Sequence, residues 1–347
     1  MMEPLAQINP VSLPPLLVLL LGLVLNLALG RDTWLRRTFE GPIDAANRFL
    51  GDLEQRYNRP DLTAAMRKAD GISTVGFLFV LALAVGLILS WAAREIPFGW
   101  TVEVVIIAAV LVQRAHLDRT RVVIRSLEAG TEQGRAALAL ISKRETQDME
   151  RPCLARSSVE ISAMVCFEGV IAPVLYYLVF GLPGLLVVRV VNTFFHMVRE
   201  QTSFGDCYGW AARRLNNFLL APAAPLAPVI VALATATLWP ARVMDAIKVG
   251  FGQGERHFRR ITGPVTAAFA GALDIRLGGP VRFSGATLPG EEYGGSRTDV
   301  DVPDIRKALV LFVRVSFLLA LILATAAALG YHAPVTTWLL EVISNRG

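Results

Sequence analysis

Apolar runs long enough to span a membrane alternate along this chain with basic stretches of helical periodicity. Val11–Gly30 and Thr74–Ala93 are uncharged for 20 residues each, and Phe218–Pro240 for 23. A helix needs about 20 apolar residues to cross the hydrocarbon core, so each run predicts a span. Val315–Tyr331 is shorter, but Ala308–Phe312 extends it past Arg314, whose side chain can snorkel to the headgroups. Val104–Val112 is closely bracketed by Glu103 and Arg114, and 159–198 is apolar yet interrupted. The expectation is an all-α integral membrane protein with five or six transmembrane or re-entrant helices. Its membrane segments fall at 11–30, 74–93, 102–113, 159–198 (broken or re-entrant), 218–240 and 308–331.

Between them lie 31–73, 114–157 and 241–306. Ile43, Ala46, Phe49, Leu50 and Leu53 recur at helical spacing, with Pro60 as a stop. Leu117, Val122, Val123, Leu127, Ala136, Leu138 and Leu140 repeat the pattern within Ala115–Lys143. Both predict amphipathic helices that lie on the membrane, roof a pocket, or pack on one another. The 241–306 stretch is rich in Gly and Arg, with RHFRR at 256–260, GGP at 278–280 and EEYGGSR at 291–297, and is expected to be loop. GFGQG at 250–254 has no strand before it, so it is no dinucleotide fingerprint. Val335–Ile343 predicts a last amphipathic or partly inserted helix. No internal repeat divides the chain, so 1–347 reads as one membrane domain.

Composition agrees. The 347 residues are 54% hydrophobic and 18% charged, against about 25% charged in soluble domains. The first run has only Glu3 before it and no small-residue cleavage site, which favours a retained span over a signal peptide. Three cysteines and four histidines are scattered, giving neither a disulfide framework nor zinc-site spacing. A net charge of +5 comes without a basic tract interleaved with aromatics, so nucleic acid is not an expected partner. The charge instead follows the positive-inside rule. Arg31–Gly71 carries eight Lys/Arg, Arg114–Arg156 nine, and the segment before the first span none. The expectation is a multi-pass protein of a bacterial inner membrane, with lipid as its surroundings and its main loops cytoplasmic.

Polar groups inside the apolar stretch raise the chemical question. Glu160 and Glu168 stand eight residues apart, roughly on one helix face, and Pro173 and Gly181-Leu-Pro183-Gly184 predict a break. Arg189, Asn192, His196 and Arg199 then recur at three- and four-residue spacing as a polar stripe. An ionisable group in a membrane segment is costly unless it faces a partner or a cavity. Two readings stand. The polar groups form a seam of Glu–Arg pairs holding helices together. Alternatively, they line a pocket for an anionic ligand, with Arg189, Arg199 and Arg213 as phosphate or carboxylate clamps.

The same residues carry a family resemblance. The motifs are ISKRET at 141–146, ARSSVE at 155–160, GVIAPVLYY at 169–177, FGLPG at 180–184, VNT at 191–193 and YGWAARRL at 208–215. AAFAGALDIRLGGP at 267–280, RKAL at 306–309, LNLALG at 25–30 and LEQRYNRP at 53–60 complete the set. In order and spacing the chain resembles the adenosylcobinamide-phosphate synthase family of cobalamin biosynthesis (CobD/CbiB) over nearly its whole length. The resemblance implies a membrane enzyme that joins adenosylcobyric acid to an aminopropanol phosphate by ATP- and Mg2+-dependent amide formation. It implies Glu160 and Glu168 as catalytic and metal-binding residues. Arg144, Arg156, Arg189, Asn192, Thr193, Arg213, Arg214 and His257 would bind substrate or phosphate.

The chain departs from the family pattern at chemical positions. Ala163-Met164-Val165 replaces Ala-Glu-Asn, and Glu168-Gly169 replaces Asp-Gly. Phe195, Asn26 and Asn216-Asn217 replace aspartates; Gly41-Pro42 replaces His-Pro; and Arg259-Arg260-Ile261 replaces Ser-Pro-Asn. Framework residues persist better than chemical ones. A divergent synthase is therefore one expectation. The other is a catalytically degenerate paralogue that binds a corrinoid or nucleotide, or acts as a sensor or partner of another membrane protein, as AmpE-type regulators do. A transporter is a weaker third reading, because inverted-repeat symmetry is lacking.

Overall fold

A computed structural model describes residues 13–28, 34–59, 61–198, 207–283 and 286–331. The protein is helical with almost no sheet. Helix α1 (Pro15–Ala28) leads to α2 (Trp34–Tyr57), α3 (Ala64–Glu95), α4 (Trp100–Val110), α5 (Gln113–Ala129) and α6 (Thr131–Ala139). Then come α7 (Arg151–Cys166), a π-helical segment (Phe167–Ile171), α8 (Ala172–Val198), α9 (Trp210–Leu220) and α10 (Leu226–Ala236). Helices α11 (Val243–Gln253) and α12 (Gly263–Leu273) precede four short strands and α13 (Val302–Ala328). Among the described residues, four stretches are long and apolar enough to cross a membrane: Ala64–Glu95, Trp100–Ala129, Arg151–Val198 and Val302–Ala328. Shorter apolar helices α1, α10 and α12 pack among them.

The expected 218–240 span is not one helix. Pro222 and Pro225 fall in a turn after α9, and α10 runs for only 11 residues, about 16 Å. The GFGQG string, expected to be loop, begins as the last turn of α11. Gly250 lets that helix approach closely, since a Cβ there would meet Pro228 at 3.0 Å and Ala268 at 3.1 Å. The rest of the Gly/Arg-rich region holds helix α12, then β1 (Arg276–Gly278) paired antiparallel with β4 (Glu292–Gly294), and β2 (Val281–Phe283) with β3 (Ala286–Leu288). Three-residue strands are too short to leave a hydropathy pattern. The Arg199 position and the Val335–Ile343 helix lie outside the described residues.

Two local breaks position the polar groups. Leu111 adopts an extended conformation between α4 and α5 (φ −70, ψ 144), freeing backbone groups at the break. Asn26 of α1 takes them up: its Nδ2 donates to the carbonyls of Ala108 (2.7 Å) and Leu111 (2.8 Å), and its Oδ1 accepts from Arg114 N–H (3.2 Å). Non-helical backbone at membrane depth is tolerated when it is satisfied in this way. The second break is at Gly181, whose φ of 65 and ψ of −154 are open only to glycine. There α8 reverses, so that 182–198 runs back along 167–180, and Asn192 and His196 return to Glu168. In a straight helix, 24 residues would separate Asn192 from Glu168 by about 36 Å. At this reversal a Cβ on Gly86 of α3 would meet Pro183 Cα at 2.5 Å, so α3 packs directly on the turn.

Candidate functional site

The two glutamates of the most buried helical run each anchor a separate polar cluster. Glu160, on α7, is 2% exposed. Its Oε2 accepts from Arg144 Nη2 at 2.5 Å, and its Oε1 accepts from Gly278 N–H at 2.7 Å and Tyr293 O–H at 3.4 Å. Arg144 also donates to Ser157 Oγ (3.0 Å) and lies over the Phe258 ring. His257 packs edge-on against Tyr293. Its Nδ1 faces the backbone N–H and carbonyl of Arg259, while its buried Nε2 has no hydrogen-bond partner among the described residues. Burial pushes the His257 imidazole down to about 4, against the pull of the Glu160 charge, so the ring is neutral at pH 7. The same desolvation pushes the Tyr293 hydroxyl well up.

Glu168 lies within the π-helical segment. Such a segment inserts one residue into the helical repeat, and π-helices recur at functional sites. Its Oε1 accepts from Arg259 Nη2 at 2.5 Å. Its Oε2 lies 2.6 Å from His196 Nε2 and accepts from Asn192 Nδ2 at 3.3 Å. Asn192 also donates to Asn216 Oδ1 (3.1 Å), while the buried Asn216 Nδ2 has no partner among the described residues. Arg189 donates to Val110 O (3.2 Å), at the carbonyl end of α4, and to Asn192 Oδ1 (3.3 Å). Among the described residues the positive groups here outnumber the negative one: Arg259 and Arg189 face a single carboxylate. The His196 side chain is 43% exposed, the opening of the cluster.

Of the other residues singled out in the sequence, Arg156 reaches the rim, 3.6 Å from Glu292. Thr193 is half-buried on the returning arm of α8. Arg213 and Arg214 lie on the exposed face of α9, with Arg214 over the Trp210 ring. Arg259, Ser157, Tyr293 and Gly278 were not among the candidates. Arg259 was marked only as a departure, and it contacts Glu168 from 91 residues away. It also lies against Met164 Sδ (3.8 Å) and over the Phe195 ring (5.0 Å), two of the positions where the family pattern has acids.

This donor set does not fit a resident Mg2+. That ion demands near-octahedral oxygen ligation, usually including carboxylates. Both oxygens of Glu160 and of Glu168 are already engaged, one of each pair by a guanidinium. The side chains of Met164, Val165 and Phe195 offer no oxygen. Among the described residues, no three His, Cys, Asp or Glu side chains converge. A cluster with surplus guanidinium charge suits an anion.

Comparison with known proteins gives a consistent picture. The family described as CobD/Cbib protein matches residues 19–312. A cobalamin biosynthesis protein CobD from Sinorhizobium sp is 30% identical over 301 residues, covering 86% of this chain and 93% of the relative. A protein of the same name from Sinorhizobium fredii is 29% identical over 316 residues, 89% of this chain and 96% of its own length. One from Rhizobium meliloti is 28% identical over 319 residues, 90% and 97% respectively. No solved structure is significantly similar.

Proposed function

The chain belongs to the CobD/CbiB family of cobalamin biosynthesis, and on that premise we propose that it forms the amide bond between adenosylcobyric acid and an aminopropanol phosphate at the membrane. The observation that carries this reading is the Glu168 cluster, with its excess positive charge and half-exposed histidine. In the reaction, ATP transfers a phosphoryl group to the corrin carboxylate and leaves as ADP; the amine of the amino alcohol then attacks the activated carbonyl, and the C–N bond forms as the C–O bond breaks and inorganic phosphate leaves. Arg189 and Arg259 hold anionic oxygens by charge, since positioning and neutralisation do most of the work in phosphoryl transfer. The His196 tautomer that donates Nε2–H to Glu168 carries an unprotonated Nδ1. His196 is then the base that takes a proton from the attacking amine. ATP enters as a co-substrate, and Mg2+ would accompany its phosphates without a protein carboxylate site of its own. The protein would reside in a bacterial inner membrane with its main loops cytoplasmic, which labelling of single cysteines from either side tests.

One observation favours a second reading. Both candidate carboxylates are neutralised within the protein, Glu160 by Arg144 and Glu168 by Arg259. A paralogue without the reaction would keep such a cluster to bind a corrinoid or nucleotide, or to work with another membrane protein. Complementation of a strain lacking the synthase, grown on cobyric acid, separates the two. Growth lost with Glu168→Gln supports the enzyme. No growth from wild type despite membrane expression overturns it.

A further inference from the structure

A second charged feature lies away from both glutamates, between α5 and α13. A groove of about 600 Å3 there is lined by Arg121 and Arg125 of α5 and by Arg306 and Arg314 of α13, with Glu128 as the only acidic side chain in its lining among the described residues. Arg306 is matched by Glu128, and Arg121 by Asp118 at 3.2 Å. Arg125 and Arg314 are exposed and have no ion pair or hydrogen bond among the described residues.

Their placement in a membrane protein needs an explanation. Arg314 stands seven residues past Lys307, the last charged residue before the apolar part of α13, about 10 Å further along the helix axis. An arginine at that depth is costly unless it reaches the headgroup layer or an anion. The floor of the groove is apolar, through Leu309, Val310 and Val313. Further along the same helix Phe317, Leu321 and Ile322 are exposed, offering a track for acyl chains. Two unmatched guanidinium groups above an apolar track complement a phosphodiester on two hydrocarbon chains. A zwitterionic headgroup brings its own cation and leaves the arginines less well matched.

We propose that this groove binds the headgroup of an anionic phospholipid, with Arg125 and Arg314 on the phosphate and α13 carrying the acyl chains. The proposal is independent of what the Glu168 cluster catalyses. It is tested on the full-length protein in detergent, titrated with phosphatidylglycerol, phosphatidylcholine or free glycerol phosphate. Bound lipid is read by native mass spectrometry, and the unfolding midpoint is followed in parallel. Phosphatidylglycerol should bind at least tenfold more tightly than phosphatidylcholine, and this preference should shrink as salt rises. Arg125→Gln with Arg314→Gln should bring the two lipids level, while the paired lysine substitutions retain most of the preference. Equal binding of both lipids by wild type overturns the proposal, as does a preference that survives the paired glutamine substitutions. Competition by glycerol phosphate at matching concentration reassigns the groove to a soluble phosphate and overturns the lipid. Should the glutamine pair fail to fold, the lipid preference and salt dependence of wild type decide the matter.

Discussion

Glu160 and Glu168 are the same residue type, eight positions apart on one helical run, each bonded to an arginine at 2.5 Å. Their surroundings give them different work. Around Glu160 the charges balance one to one, and a backbone N–H, a tyrosine and an aromatic roof close the pair off. That cluster ties α7 to β1 and β4, and so staples the carboxyl-terminal strands to the membrane helices. Around Glu168, among the described residues, the positive groups are in surplus, an amide donor is unpartnered, and a histidine opens outward. A closed, balanced ion pair holds a fold together. An open, unbalanced one is equipped to bind.

The largest test of this contrast is His196→Gln. Loss of a positioned base should cost about 10²–10⁴-fold in amide formation, measured with purified protein, ATP and corrinoid, and should leave the unfolding midpoint unchanged. Next in size is Glu160→Ala, which leaves Arg144 buried and unpaired. The expected loss is about 3–5 kcal/mol of stability, seen as a lowered midpoint in detergent. Replacing both partners, Glu160→Met with Arg144→Met, should recover most of that stability together with complementation. The matching double change, Glu168→Met with Arg259→Met, should fold and fail to complement. If the two double variants behaved alike, the distinction between staple and site would collapse.

A smaller effect follows pH. His257 has its folded value pushed from 6.5 down to about 4, so the unfolded chain binds the extra proton first. Stability from this group is therefore complete above pH 6.5 and is lost as pH falls towards 4, by about 3 kcal/mol at the limit. His257→Gln should flatten the dependence of the unfolding midpoint on pH between 7 and 4.5. The smallest expected change is Asn26→Leu, which strands the carbonyls of Ala108 and Leu111. It should lower stability by about 1–3 kcal/mol without touching the Glu168 cluster. That result would make Asn26 structural in this chain, although the family pattern has an acid there.

Much of the scaffold was legible because its causes are local. Twenty uncharged residues within α3 leave no other solvent for that helix than lipid or core. The Gly181-Leu-Pro183-Gly184 string marks a reversal because only glycine adopts φ 65 with ψ −154. The 218–240 run misled for an equally local reason. Its composition is apolar throughout, and hydropathy does not register that Pro222 and Pro225 end one helix and start another. The strand pairs were illegible because each strand is only three residues long.

The sequence by itself determined that this is a multi-pass helical membrane protein with costly polar groups in its most apolar region, because burial and backbone sterics act on neighbours along the chain. Only the tertiary structure decided what those polar groups do. Arg144 reaches Glu160 across 16 residues, Arg259 reaches Glu168 across 91, and the reversal at Gly181 returns Asn192 and His196 to the π-helical segment. A charge is matched, left in surplus or opened to a ligand according to which groups stand within about 3 Å of it. That is set by where packed helices bring distant residues together, not by their order in the chain.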